Sequence, residues 1–263
     1  MNREWLCVYS LWLREMKRFY RQPSRVIGAL ASPLMFWILI GSGIGRSFQA
    51  GTGEASQSYL EYFFPGTVMM ILLFTAIFST ISIIEDRREG FLQSVLVSPA
   101  SRGSIVMGKI LGGTSLAVTQ AALFLLIAPL IGLRLSAAGW AIAALALAVN
   151  GFALTGLGFL MAWRMNSIQG FHAVMNVLLM PLWFLSGALF PADGAQVWLK
   201  WVMVLNPLTY GMAALRHALE GGRSGLASLP DPALSWTVIC IFAFVMLILS
   251  AKAASRRSAE DLQ

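Results

Sequence analysis

Few side chains in this sequence are placed to do chemistry, and the most tempting of them form one run. Gly103-Ser104-Ile105-Val106-Met107-Gly108-Lys109-Ile110 has the G-x4-G-K spacing of a phosphate-binding loop. In such a loop, backbone N–H groups and a lysine cradle nucleotide phosphates. The run stops one residue short, because Ile110 stands where Ser or Thr would hold Mg²⁺. No hydrophobic strand leads into it, and a long apolar stretch follows. Gly108 and Gly112 read better as a small-xxx-small helix contact. The chain is expected to hold no cofactor and to hydrolyse no ATP itself.

Other chemistry is equally thin. His172 and His217 lack acidic or sulfur neighbours at metal-ligand spacing. Cys7 and Cys240 stand near opposite ends, with no CxxC and no disulfide framework. Polar groups within apolar runs are Thr119, Gln120, Asn150, His172 and Asn176. Two roles stay open for them: hydrogen bonds between helices, or contact with a substrate, for which Gln120, Asn150 and Asn176 are the candidates. No Asp, Glu, Lys or Arg lies in those runs, which argues against a proton- or sodium-coupled antiporter. The missing acid/base pair argues against an intramembrane protease or transferase.

The elements that would carry these residues follow from composition. Of 263 residues, 57% are apolar and 12% charged, with mean hydropathy +0.71. Soluble domains carry about 25% charge, so a water-soluble enzyme and a disordered chain are both excluded. Six charge-free stretches are long enough to cross a bilayer: 26–45, 65–84, 110–133, 137–161, 169–190 and 233–251. Their apolar residues do not alternate as in a β-barrel. The expected fold is an all-α integral membrane protein with six transmembrane helices. With both termini inside, inner segments carry 14 Lys and Arg and outer segments 5. That bias predicts cytoplasmic termini and explains the net charge of +7 without nucleic acid. No cleavable signal peptide is expected, since the first apolar run lies behind a basic segment.

Three segments lie outside the spans. Residues 3–22 predict an amphipathic helix: Trp5, Tyr9 and Trp12 recur on one face, and Arg14, Lys17 and Arg18 on another. It either lies on the inner leaflet against anionic lipid or packs on the protein's own loops. Residues 85–109 form a long inner segment in which Glu85, Arg87, Arg88 and Glu89 flank an apolar helical face of Phe91, Leu92, Val95 and Leu96, and Pro99 ends it. It reads as a docking element with an apolar ridge and ionic rim, or as a second interfacial helix. Residues 191–232 are too apolar for an ordinary outer loop. Two short helices broken at Asn206-Pro207 would dip into the membrane or lie flat on it.

Together these motifs resemble the membrane subunit of ABC-2 type ABC transporters, the family of drug-efflux, nodulation-factor and polysaccharide exporters. Arg88-Glu89-Gly90, Leu92, Leu96, Pro99 and Gly108-Lys109 match its pattern between spans two and three. Leu185-Ser186-Gly187, Phe190-Pro191, Trp198-Leu199, Asn206-Pro207-Leu208-Thr209-Tyr210 and Leu215-Arg216 match it further on. Val197 departs from the proline common at that position. The resemblance implies two such subunits over two copies of a separate ATPase, which binds ATP and Mg²⁺. Residues 85–99 would couple to the ATPase, the N-terminal helix would rest beside them, and the re-entrant segment would cap the outer end. The expected setting is the bacterial inner membrane. The leading cargo is amphipathic, drug-like or lipid-linked, with polysaccharide or glycolipid second. A membrane-embedded lipid or glycan transferase, or an assembly protein without transport, are the readings from other classes.

Overall fold

The computed structural model describes residues 3–21, 23–44, 58–192, 195–220 and 229–260. Within them the chain is built from helices: α1 (Arg3–Tyr20), α2 (Pro23–Ile44), α3 (Tyr59–Ser79), α4 (Ile81–Arg88), α5 (Phe91–Leu96), α6 (Arg102–Leu125), α7 (Ala137–Arg164), α8 (Ile168–Trp183), α9 (Val197–Leu205), α10 (Pro207–Glu220) and α11 (Pro232–Glu260). No strand occurs among the described residues.

Serine starts four of the long helices. The hydroxyl oxygens of Ser58, Ser101, Ser136 and Ser167 accept from the N–H groups of Glu61, Ser104, Gly139 and Gly170 at 3.0–3.3 Å. Each satisfies one donor that the first helical turn leaves unpaired. Apolar side chains along the body of each helix then drive packing. Helix α3 is the centre, touching α2, α6, α7, α8 and α10. Its Phe63, Phe64, Met69, Ile71, Leu72, Leu73 and Ile77 are fully buried.

Five helical stretches are long and apolar enough to cross a membrane: Tyr59–Arg88, Arg102–Ile131, Ala137–Arg164, Ile168–Ala188 and Pro232–Ser255. The protein is thus an all-α, multi-pass membrane protein. In α2 the described apolar run is Leu30–Gly43. The end of the first expected span, residue 45, lies outside the described residues, as do residue 22 of the expected N-terminal helix and 193–194 and 221–228 of the expected outer segment.

Several helix ends run past the limits that hydropathy sets. The α3–α4 rod runs to Arg88 past the expected end at Ile84, and α6 begins at Arg102, eight residues before Ile110. α11 continues to Glu260, beyond Ala251. Hydropathy stops at the first charge, whereas the i to i−4 hydrogen-bond ladder does not. α8 ends at Trp183, and a π-helical turn, Phe184–Ala188, replaces the last turn of the expected span.

Candidate coupling site

Helix α1 is seated along α6, and two glycines make the seat. A Cβ on Gly108 would stand 2.9 Å from the Leu11 Cβ, and one on Gly112 would stand 2.9 Å from the Glu15 Cβ. At the start of both helices the Glu4 carboxylate accepts from the Ser101 N–H at 3.3 Å, from the Ser101 hydroxyl at 2.6 Å, and from the Ser104 hydroxyl. Hydrogen bonds from Ser101 and Ser104 hold the Glu4 carboxyl below the usual carboxylate range. Farther along, Trp12 Nε1 donates to Ser115 Oγ at 3.0 Å. The contacts advance in the same direction on both helices, so α1 runs parallel to α6. The amphipathic helix therefore packs on its own protein through Val8, Leu11 and Glu15, while Trp5 and Tyr9 stay exposed.

Three charges are buried where α1, α4 and α6 meet: Glu15 on α1, Asp86 on α4 and Lys109 on α6. The Lys109 ammonium donates to Glu15 at 2.5 Å and to Asp86. Arg14 grips Asp86 with both terminal nitrogens, at 2.8 and 2.7 Å. Arg18 bonds Asp86 at 3.0 Å and Glu85 at 2.6 Å. Three cations and three carboxylates thus close a neutral set. Arg14 and Arg18, expected to face anionic lipid, are turned inward by these carboxylates, while Lys17 remains exposed. Lys109, the last residue of the phosphate-loop look-alike, sits in a continuous helix instead of a loop.

The other charges of α4 reach across to the end of α7. Arg87 donates to the Trp163 carbonyl at 2.8 Å and the Met165 carbonyl at 3.0 Å, and Arg88 to the Asn166 carbonyl at 2.9 Å. These cations cap carbonyls that the end of α7 leaves unpaired. Of the charges expected to rim the ridge, Glu85 pairs with Arg18 and Arg87 with the end of α7, while Arg88 stays exposed beside Asn166. Glu89 keeps its side chain 61% exposed. Gly90, at φ 75°, then turns the backbone into α5 in a conformation that favours glycine.

The apolar ridge on α5 faces inward. Leu92 is buried in the core, Phe91, Val95 and Leu96 are half-buried, and Arg14 stacks 3.7 Å over the Phe91 ring. Leu92 and Leu96 join the core beside α4, and Phe91 lies under Arg14 of α1, because water would otherwise cover this apolar side. The outward face is Gln93, Ser94, Val97 (84% exposed) and Pro99. An apolar groove of about 530 Å³ separates α1 from α5, lined in part by Leu6, Cys7, Leu11, Phe91 and Val95. Burial and the nearby Glu4 charge push the Cys7 thiol up.

At the opposite end of the bundle, the π-turn frees carbonyls that side chains then claim. Asn206 Nδ2 donates to the Leu182 carbonyl at 2.7 Å and Thr209 Oγ1 to that of Leu185 at 3.2 Å. Tyr62 and Arg216 both donate to the Gly187 carbonyl at 3.1 Å, and Tyr59 to that of Leu189 at 3.0 Å. Arg216, 3% exposed, also stacks 4.1 Å over Tyr62. Asn206 breaks α9 from α10, accepting from the Leu208 N–H at 3.0 Å, with Pro207 at the first helical position. Tyr210 donates to the Val204 carbonyl at 2.9 Å. α10 inserts among α3, α7 and α11, whereas α9 buries only Met203 and leaves Trp198 exposed. Pro191 is half-buried just past the turn.

The in-span polar residues do not converge. Gln120 Oε1 accepts from Thr75 at 2.6 Å, Asn150 donates to the Ala146 carbonyl at 2.8 Å, and Asn176 is exposed on α8. Among the described residues, Gln120 Nε2 and Asn150 Oδ1 are buried without a hydrogen-bond partner. The His172 ring lies 4.9 Å from Phe78, and a His217 ring nitrogen 3.0 Å from the Pro230 carbonyl.

Sequence reasoning passed over Glu15, Asp86 and Lys109 as a set. The signal was available: Glu15 lies on the Val8–Leu11 apolar stripe of α1, and a charge there needs a buried partner.

A bundle of long apolar helices, with a charged knot at one end and a side-chain-capped break at the other, defines a multi-pass membrane protein. The chain belongs to the ABC-2 type transporter family, which it matches over residues 7–219. It is 31% identical to a putative transport permease ycf38 of Cyanophora paradoxa, covering 74% of this chain and 68% of the relative. It is 25% identical to nodulation protein J of Rhizobium leguminosarum bv. viciae, over 94% of both chains. It is 22% identical to the daunorubicin resistance ABC transporter permease protein DrrB1 of Streptomyces coeruleorubidus, covering 80% of this chain and 74% of the relative. Permeases of this family work with an ABC ATPase.

Proposed function

We propose that this chain is the permease half of an ATP-driven exporter in a bacterial inner membrane. Two copies pair over two copies of a separate ATPase, which supplies ATP and Mg²⁺ binding, and both termini face the cytoplasm. The ATPase docks on the outward face of α5, with Glu89 beside it. The carrying observation is that face: Val97 stands 84% exposed just past a short helix whose Phe91 is held under Arg14 of α1. Exposed Trp5 and Tyr9 lie against lipid. α2 supplies the remaining span. α9 and α10 enter from the outer side as a re-entrant pair that caps the path.

The cargo is an amphipathic molecule, drug-like or lipid-linked. The exposed faces of α2 (Met35, Ile38, Leu39) and α8 (Val174, Val177) are apolar, with Asn176 between the two α8 valines in sequence. A path lined this way suits apolar bodies better than small ions. Resistance to daunorubicin, in the name of one relative, agrees with that class.

Affinity purification from native membranes tests the reading. The wild-type chain brings down an ABC ATPase, and Val97→Asp loses it while its melting temperature stays within a few degrees. Absence of an ATPase from the wild-type preparation defeats the proposal.

A further inference from the structure

We propose that Lys109 is a positioning residue that clamps α4 and α5 onto α1 and α6, so that motion at α5 passes into α6. The clamp rests on geometry alone; its part in transport rests on the docking proposed above.

Lys109 reaches from α6 to a carboxylate on each of two other helices, Glu15 of α1 and Asp86 of α4. Asp86 in turn holds Arg14, and Arg14 lies over Phe91 of α5. One route of charge-assisted contacts therefore joins α5, α1, α4 and α6. At Gly108 and Gly112 the α6 backbone lies directly against Leu11 and Glu15 of α1, so the two cannot slide past each other freely. The ties from α4 to the end of α7 differ in kind. Of the bonds from Arg87 and Arg88, three go to Asn166 in exposed positions, where water can replace them, and the two from Arg87 to the Trp163 and Met165 carbonyls are half-buried. Lys109 and Asp86 are 5% and 0% exposed, and water has no such access. When α5 is pushed, the exposed bonds to Asn166 give way first, and the buried tie from Asp86 to Lys109 keeps α4 on α6. A neutral, fully paired set adds little to stability over apolar packing, so what it contributes is a fixed register between three helices.

Amide exchange in two preparations tests this. In the lone chain, Lys109→Met raises exchange across 85–96 at least tenfold over wild type, leaves α10 unchanged, and Lys109→Arg restores protection. In the complex with its ATPase, ATP with vanadate alters exchange at 91–96 and along 102–115 in wild type and in Lys109→Arg; in Lys109→Met the change stops at α5. Arg14→Gln, a half-buried site, releases 91–96 in the same way and serves if Lys109→Met does not fold. Unchanged exchange at 85–96 in the lone-chain variants overturns the clamp. Equal spread of the vanadate response in Lys109→Met and wild type overturns its role in transmission. If no ATPase binds the wild-type chain, the docking falls and the lone-chain comparison still decides the clamp.

Discussion

Lys109, Glu15 and Asp86 place three charges where water cannot reach them, and each depends on the others being present. Removing one partner of a buried set leaves an uncompensated charge, at a cost of about 3–5 kcal/mol. Asp86→Ala removes the one carboxylate that Lys109, Arg14 and Arg18 share and is expected to lower the thermal midpoint in detergent by several degrees. Asp86→Leu combined with Lys109→Met is expected to cost less than the two single changes summed, because the pair leaves together. Additive losses would show that the two side chains do not interact. A second residue-scale outcome concerns Cys7. The thiolate is the reactive form, and a thiol pushed up carries less of it at neutral pH. In a Cys240→Ser background, maleimide labelling of Cys7 is expected to be slow at pH 7 and to rise beyond the pH at which a free thiol has levelled off. Glu4→Gln removes a negative neighbour and is expected to speed labelling at pH 7.

Among the elements, α10 is set by how closely it approaches α7. A Cβ on Gly211 would fall 1.8 Å from Asn150 Oδ1. Gly211→Ala is expected to destabilise the bundle by about 1–3 kcal/mol as overpacking, and Asn150→Ala in the same chain to recover most of it. Thermal unfolding of the four variants gives the cycle; no recovery in the double variant would mean the helices meet elsewhere. Legibility varied along these elements for physical reasons. Charge-free runs announced the long helices, and the break at Asn206-Pro207 was readable because proline fixes its own backbone. The orientation of α5 was not readable. Phe91, Leu92, Val95 and Leu96 share a face whether that face meets a partner or the chain's own core, and the spacing is identical in both cases. Nor could hydropathy extend α6 back to Arg102, because a lysine paired to two carboxylates counts in one dimension as a bare charge.

For the whole molecule, the exposed apolar faces differ in what they require. The outer face of α11 carries Ile241, Phe244 and Ile248 and is satisfied by lipid tails. α8 adds Asn176 to such a face, and an amide costs more in hydrocarbon than against protein. A second copy is therefore expected to meet α8. Val177→Cys in a chain without its native cysteines should give a disulfide-linked dimer under mild oxidation in membranes, and Phe244→Cys should not. The reverse pattern would move the subunit interface to α11.

The seating of α1 on α6 also constrains how the protein is made. Glu15 leaves the ribosome long before Lys109, 94 residues later, and Asp86 emerges between them. Helix α1 consequently waits, with its carboxylate and arginines in water, until α6 has entered the bilayer. Nascent chains that end before Lys109 leave Arg14 and Arg18 open to trypsin, and full-length chains close them. Assembly at this end of the molecule is complete only once α6 brings Lys109 to the waiting carboxylates.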